Sequence, residues 1–144
     1  IQDYAVQYKQ LLYDCIITNP PFYEGDLQSP DNAKNMASHS IALPWDDLAK
    51  SASTLLQDHG SWYVLVPTLR AYTMQKLAAQ YGMQLIEEVL MYNDAKHLPI
   101  RAMLKFVKQP VSAPILRNKI IIKNADQSYT PEFTDYLKDY YLHF

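Results

Sequence analysis

Two consecutive prolines stop a short apolar run: Tyr13-Asp14-Cys15-Ile16-Ile17-Thr18 is followed at once by Asn19-Pro20-Pro21. A nearly continuous apolar run of this length predicts a strand buried on both faces, as in a parallel sheet. The prolines end it because neither can donate to a sheet ladder. The polar stretch from Tyr23 to Ser40, with Gly25 and Pro30, predicts a loop of active-site size containing at most one helical turn. A buried strand with a rigid stop and a long polar loop is the start of an α/β unit.

The rest of the chain continues the alternation. Pro44 opens a helix at its first position, with Asp46 and Asp47 in the turn where the helix dipole favours negative charge. Trp45, Leu48, Ala49, Ala52, Leu55 and Leu56 recur at steps of three and four and predict one core face. Gly60 is expected to cap that helix, with His59 beside it at the helix end. Trp62 to Val66 reads as the next buried strand, ended by Pro67. Tyr72 to Tyr81 reads as a second helix capped by Gly82, with Leu69, Tyr72, Leu77, Ala78 and Tyr81 as its candidate core. Leu85–Met91 and Ala102–Val107 follow as strands joined by the loop from Tyr92 to Pro99. Pro110 and Pro114 mark a break. A short strand, Lys119 to Lys123, then precedes a terminal helix from about Pro131. On that helix Phe133, Tyr136, Leu137, Tyr140 and Tyr141 are spaced as core or lid packing. Strand-helix-strand-helix-strand-strand is an α/β order that finishes with a hairpin-like pair.

Composition removes several function classes. With 144 residues, 49% of them hydrophobic and 19% charged, the chain is globular and of single-domain size. A net charge of −2, from 13 basic and 15 acidic residues, argues against nucleic-acid binding through a global basic field and leaves room for a local patch. The single cysteine, Cys15, excludes an internal disulfide framework and a cysteine-based zinc site, and it suits a reducing compartment. A cytoplasmic location is the expectation. The four histidines and the pairs Asp46-Asp47 and Glu87-Glu88 show no metal-ligand spacing, so no metal is expected. No apolar run approaches the roughly 18 to 20 residues that span a bilayer, and Ile1-Gln2-Asp3-Tyr4, with neither a basic nor an apolar region, is not expected to be part of a signal peptide.

The chemistry lies in Asn19-Pro20-Pro21-Phe22. An exocyclic amine is a poor nucleophile when its lone pair is delocalised into a ring. Two acceptors aimed at its two N–H bonds hold it for attack. An asparagine side-chain oxygen is one such acceptor, and the carbonyl of a proline in a rigid turn is a second. An aromatic side chain next in sequence can stack on the base, a contact worth roughly 1–3 kcal/mol. Arg70, Lys96, His97 and Arg101 are the cations available for phosphates around a flipped-out base. For each of them, and for His39 in the loop after the motif, ordinary surface or structural use is the alternative.

These residues carry a resemblance. Asn19-Pro20-Pro21-Phe22, with the Asp14-led apolar run before it, resembles the Asn-Pro-Pro-aromatic signature of class I S-adenosylmethionine-dependent methyltransferases that modify amino or amide nitrogens. The later elements also resemble, in spacing and type, the bacterial tRNA (adenine-N6)-methyltransferases that act beside the anticodon of a valine tRNA. These are the Trp62-to-Pro67 strand, Lys96-His97-Leu98-Pro99-Ile100-Arg101, and Tyr129-Thr130-Pro131-Glu132-Phe133 before a Tyr-Leu-rich helix.

The resemblance implies a Rossmann-like α/β sheet whose strand order ends in an antiparallel pair, with the motif at the carboxyl end of a strand. It implies Asn19 and Pro20 as catalytic residues, with Asn19 also contacting the S-adenosylmethionine cofactor. Pro21, Phe22, Arg70, Lys96, His97 and Arg101 become substrate-binding residues, and tRNA becomes the partner.

The family's glycine-rich cofactor loop precedes this strand and has no counterpart here, since Gly25, Gly60 and Gly82 are isolated. Asp3 lies too close to the strand to serve as the acidic residue near the cofactor's adenine. Residues 1–144 are therefore expected to be the C-terminal portion of one methyltransferase domain, lacking the cofactor-binding half. Alone, such a portion should be inactive and should expose the strand edge at Asp14 to Thr18. Two alternatives stay open: a protein-glutamine N5-methyltransferase acting on release factors, and a noncatalytic RNA-binding module.

Overall fold

The structure is a computed structural model that describes residues 11–21, 44–109 and 111–140. Phe22, His39, Asp3 and the predicted loop from Tyr23 to Ser40 lie outside the described residues. The elements run β1 (Tyr13–Thr18), α1 (Trp45–Leu55), β2 (Leu56–Pro67), a 3-10 turn (Thr68–Arg70), α2 (Ala71–Gln80), β3 (Gln84–Tyr92), β4 (Pro99–Val107), β5 (Leu116–Ile121) and α3 (Pro131–Leu137). The five strands form one mixed sheet in the order β1-β2-β4-β3-β5. β4 is antiparallel to both of its neighbours, whereas β1 pairs parallel with β2 and β3 pairs parallel with β5. Four strands therefore run one way. The predicted hairpin is β3–β4, and β5 adds one more parallel strand beyond it.

The core lies on the sheet face that α1 and α2 cover. Alternation sends Trp62, Val64 and Val66 of β2 and Ala102, Leu104 and Phe106 of β4 to this face, all at most 2% exposed. Trp62 stacks on Phe106 with ring centroids 5.3 Å apart. The predicted stripe of α1 is buried as expected: Trp45, Leu48, Ala49, Ala52 and Leu55 all face the core. Pro44 is the residue before the first helical one, and Asp46 and Asp47 occupy the first turn. Tyr81 donates its hydroxyl to Asp46 Oδ2 at 2.8 Å, tying α2's end to α1, and this bond pushes the phenol's pKa up.

Several sequence expectations are corrected. β1 is largely exposed rather than buried on both faces, with Ile17 at 78%, because it is the edge strand among the described strands. Among the described residues, no strand pairs with the far side of Asp14 to Thr18, the edge predicted to be exposed. The first helix ends at Leu55, before Gly60, so Gly60 and His59 belong to β2 rather than to a helix end. The pairing advances from Tyr13↔Leu56 directly to Cys15↔Ser61, leaving residues 57–60 as an irregularity in which His59 takes a left-handed φ of 67°. Gly60 is buried there, and a Cβ would approach Leu56's side chain to 2.8 Å and the Gln57 carbonyl to 2.9 Å.

On α2 the buried positions are Met74 and Ala78, with Ala71, Leu77 and Tyr81 packed at the margin; Leu69 and Tyr72 are 90% and 66% exposed. The stripe runs from Ala71 in steps of three and four, a phase that the aromatic and branched residues concealed. Gly82, at φ 75°, caps α2 as expected, and Met83 N–H closes onto the Ala78 carbonyl at 2.9 Å. β5 begins at Leu116, earlier than the predicted Lys119.

The terminal helix starts at Pro131, with the Thr130 hydroxyl accepting from Phe133 N–H at 3.2 Å. It does not join the core: Phe133 and Leu137 are half-buried beside a cleft of about 570 Å³, Tyr136 and Tyr140 are 61% and 82% exposed, and Tyr141 is outside the described residues.

Candidate active site

The carboxyl ends of β1, β2, β3 and β5 share one edge of the sheet, and the amino end of β4 meets them there. This is the edge at which open α/β sheets bind ligands. At β1 the chain leaves the sheet through Thr18, half-buried, into exposed Asn19, buried Pro20 and exposed Pro21. Burying Pro20 fixes the backbone on one side of Asn19, and its locked φ removes further freedom.

Thr18 anchors this exit to the core. Its hydroxyl accepts from the Trp62 indole N–H at 2.9 Å and donates to the Tyr63 carbonyl at 3.3 Å. Trp62 is fully buried against Phe106, so the strand end that presents Asn19 is tied to the packed core. Sequence reasoning missed Thr18. A hydroxyl directly before the motif, opposite a tryptophan on the next strand, was the available signal.

The predicted cations converge on the same edge. Arg70 closes the 3-10 turn that follows Pro67. Arg101 pairs with Pro67 across β2–β4 and with Met91 across β3–β4. At about 4.8 Å per strand, Arg101 lies roughly 10 Å across the sheet from the β1 exit.

Lys96 and His97 are exposed in the β3–β4 loop, which Asp94 organises. The Asp94 carboxylate accepts from the Lys96 backbone N–H at 2.8 Å and pairs with His97 Nδ1 at 2.7 Å. The backbone N–H of Lys96, and after it the His97 side chain, hold its pKa below the usual carboxylate range. A cleft of about 460 Å³ lies beside this loop, lined by Lys96, His97, Lys123 and Gln127 among others. Among the described residues no group of three or more His, Cys, Asp or Glu could hold a metal ion, and no helix is long and apolar enough to cross a membrane.

The fold has counterparts among solved structures. The crystal structure of a predicted O-methyltransferase from Agrobacterium tumefaciens superposes with a TM-score of 0.61 at 15% identity, covering 88% of this chain and 51% of that one. The fold is that of the class I methyltransferases. No family model matches the chain. Curated relatives match it from end to end. It is 27% identical over 146 residues to the tRNA1(Val) (adenine(37)-N6)-methyltransferase of Dyadobacter fermentans, and 30% identical over 150 residues to the enzyme of that name from Trichodesmium erythraeum. These alignments cover 100% and 99% of this chain, and the chain spans about 60% of the length of each relative. In the class I methyltransferase sheet, the Asn-Pro-Pro segment of this chain thus occupies a strand's carboxyl end, where the sequence motif led us to expect it.

Proposed function

We propose that the protein containing this chain transfers a methyl group from S-adenosylmethionine to the exocyclic N6 of an adenine in tRNA, next to the anticodon of a valine tRNA in the cytoplasm. The observation that carries this reading is the exposed Asn19 amide, held between Thr18 and buried Pro20 on the edge where Arg70, Lys96 and Arg101 gather. The names of the curated relatives support the substrate.

When bound, the cofactor supplies a methyl carbon made electrophilic by its sulfonium. Residues of this chain fit the acceptor's side of the reaction: Asn19 Oδ1 and the Pro20 carbonyl accept the two N–H bonds of the adenine amine. Holding both hydrogens orients the nitrogen lone pair and disfavours the planar amine, so the acceptors act most strongly as attack begins. Asn19 is the residue of this chain that would also border the cofactor. Pro21 shapes the turn, and Phe22 would stack on the base. Arg70, Lys96, His97 and Arg101 hold flanking phosphates. The chain's three isolated glycines offer no cradle for the rest of the cofactor, so the isolated chain is expected to be inactive.

The test uses the whole protein with methyl-labelled S-adenosylmethionine, and unmodified tRNA and a release factor in parallel. Label in N6-methyladenosine is expected. Label in glutamine, or none, overturns the reading. Replacing Lys96 and Arg101 together should lower the salt dependence of tRNA binding by roughly one unit of log–log slope per lost phosphate contact. An unchanged slope would remove both from the interface.

A further inference from the structure

The two most exposed large apolar side chains among the described residues are Leu69, at 90%, and Leu98, at 85%. Both lie on the edge that carries Asn19. Leu69 is the middle residue of the 3-10 turn after β2, and Leu98 is the last residue of the loop before β4. The 3-10 turn contacts β4, and Pro67 pairs directly with Arg101, so the two leucines project from neighbouring loops. Each has a cationic neighbour: Arg70 follows Leu69, and Lys96 and His97 precede Leu98.

Neither leucine sits on a loose tip. Leu69 is held between Pro67 and α2, with the Ala71 N–H bonded to the Thr68 carbonyl. Leu98 is held between the turn that Asp94 organises and Pro99, the first residue of β4. A single exposed leucine on a surface needs no explanation. Two on one rim, carried by hydrogen-bonded loops and interleaved with cations, combine apolar surface with complementarity to a polyanion.

We propose that Leu69 and Leu98 form an apolar wedge that enters the RNA base stack beside the target adenine and fills the space vacated when that base turns toward Asn19. The inference rests on the RNA-adenine reading above. An adenine stacked on its neighbours in the anticodon loop presents its amine edge to the loop, so it has to turn out of that stack for the amine to meet the Asn19 amide. Aliphatic side chains inserted at a base step offset part of the lost stacking, and cations beside them hold the phosphates on either side. The hydrogen-bonded backbones of the two loops keep the loop part of the ordering cost small on insertion.

The experiment uses the whole protein and an anticodon stem-loop RNA. In one set the RNA is unlabelled; in the other the target adenine is kept and the nucleotide stacked beside it is 2-aminopurine, whose fluorescence rises when the adenine leaves the stack. Wild type should methylate the first RNA and brighten the second. The double variant Leu69→Ala/Leu98→Ala should lose about tenfold in both kcat and the fluorescent fraction, with RNA affinity and salt slope changed less than about twofold. Leu69→Met/Leu98→Met should restore both, since an apolar side chain of similar reach can still insert.

The wedge is overturned if the alanine variant flips and methylates like wild type, or if its RNA affinity falls in step with its rate. It is equally overturned if wild type methylates RNA without brightening 2-aminopurine. Wild-type failure to methylate RNA at all would instead remove the RNA-adenine reading, and the wedge with it.

Discussion

Strands β2 and β4 differ sharply between their middles and their ends. Midway along, Trp62, Val64, Leu104 and Phe106 are at most 2% exposed and pack among apolar groups of the sheet and the two helices. At the edge where β2 finishes and β4 starts, Leu69 and Leu98 stand in solvent among Arg70, Lys96 and His97. The first region holds the sheet together through area removed from water. The second buries little and therefore contributes little to stability. The stabilising core and the candidate site are thus separated along the strand axis, a few residues apart, with Thr18 hydrogen-bonded to Trp62 in the core and followed in the chain by Asn19. Substitutions should divide accordingly.

The largest effect is expected in the middle. Trp62→Ala removes a fully buried aromatic and strips the Thr18 hydroxyl of its donor, and should cost about 3–5 kcal/mol in urea unfolding. Next is Asn19→Ala in the whole protein. Losing one preorganised acceptor should lower kcat by roughly 10²–10³-fold with the urea midpoint unmoved, because Asn19 is exposed. A midpoint that falls with activity would break the comparison, by showing that the edge carries stability after all.

How much of this was legible in the sequence depended on the physics behind each signal. The end of β1 was legible because proline cannot donate to a ladder. The core face of α1 was legible because its apolar residues include no competing aromatic at the wrong phase. On α2 such a competitor existed: Tyr72 and Leu69 looked like core, while Met74 took the buried position. Gly60 was misread for a related reason. A glycine near a helix end is usually a cap, and here it relieves crowding against Leu56 inside β2. The candidate site was legible as residue types and not as an assembly. Asn19 and Arg101 are 82 positions apart in sequence, and only the strand order brings their elements to one edge. Phe22 lies outside the described residues, and its stacking role stands on the motif.

Two smaller effects sharpen the boundary between the regions. Thr18→Val keeps the shape of the side chain and leaves the Trp62 indole N–H without its acceptor, which should cost about 1–3 kcal/mol. It should also lower kcat in the whole protein by loosening the Asn19 exit; a stability loss with kcat intact would confine Thr18 to the core.

The smallest effect concerns Asp94. Its folded pKa lies below the ordinary carboxylate value, so the loop order it supports is complete above that ordinary value and is lost as pH falls through the depressed one. Hydrogen exchange at the Lys96 amide, followed at matched intrinsic rates, should stay slow at neutral pH and accelerate only in acid. Asp94→Asn should remove that pH dependence.

The antiparallel strand has a consequence for how the molecule is made. β2 and β3 never touch each other in the sheet order; each bonds only to β4 on that side, and β4 comes last of the three in the chain. A nascent chain that has emerged only through Tyr92 has both outer rails and nothing to join them. It must keep two apolar strands apart from each other and from other chains until residues 99–107 arrive between them. Synthesis therefore passes through an interval of exposure that the finished fold no longer shows, and a pause or truncation just before Pro99 prolongs it at its worst point.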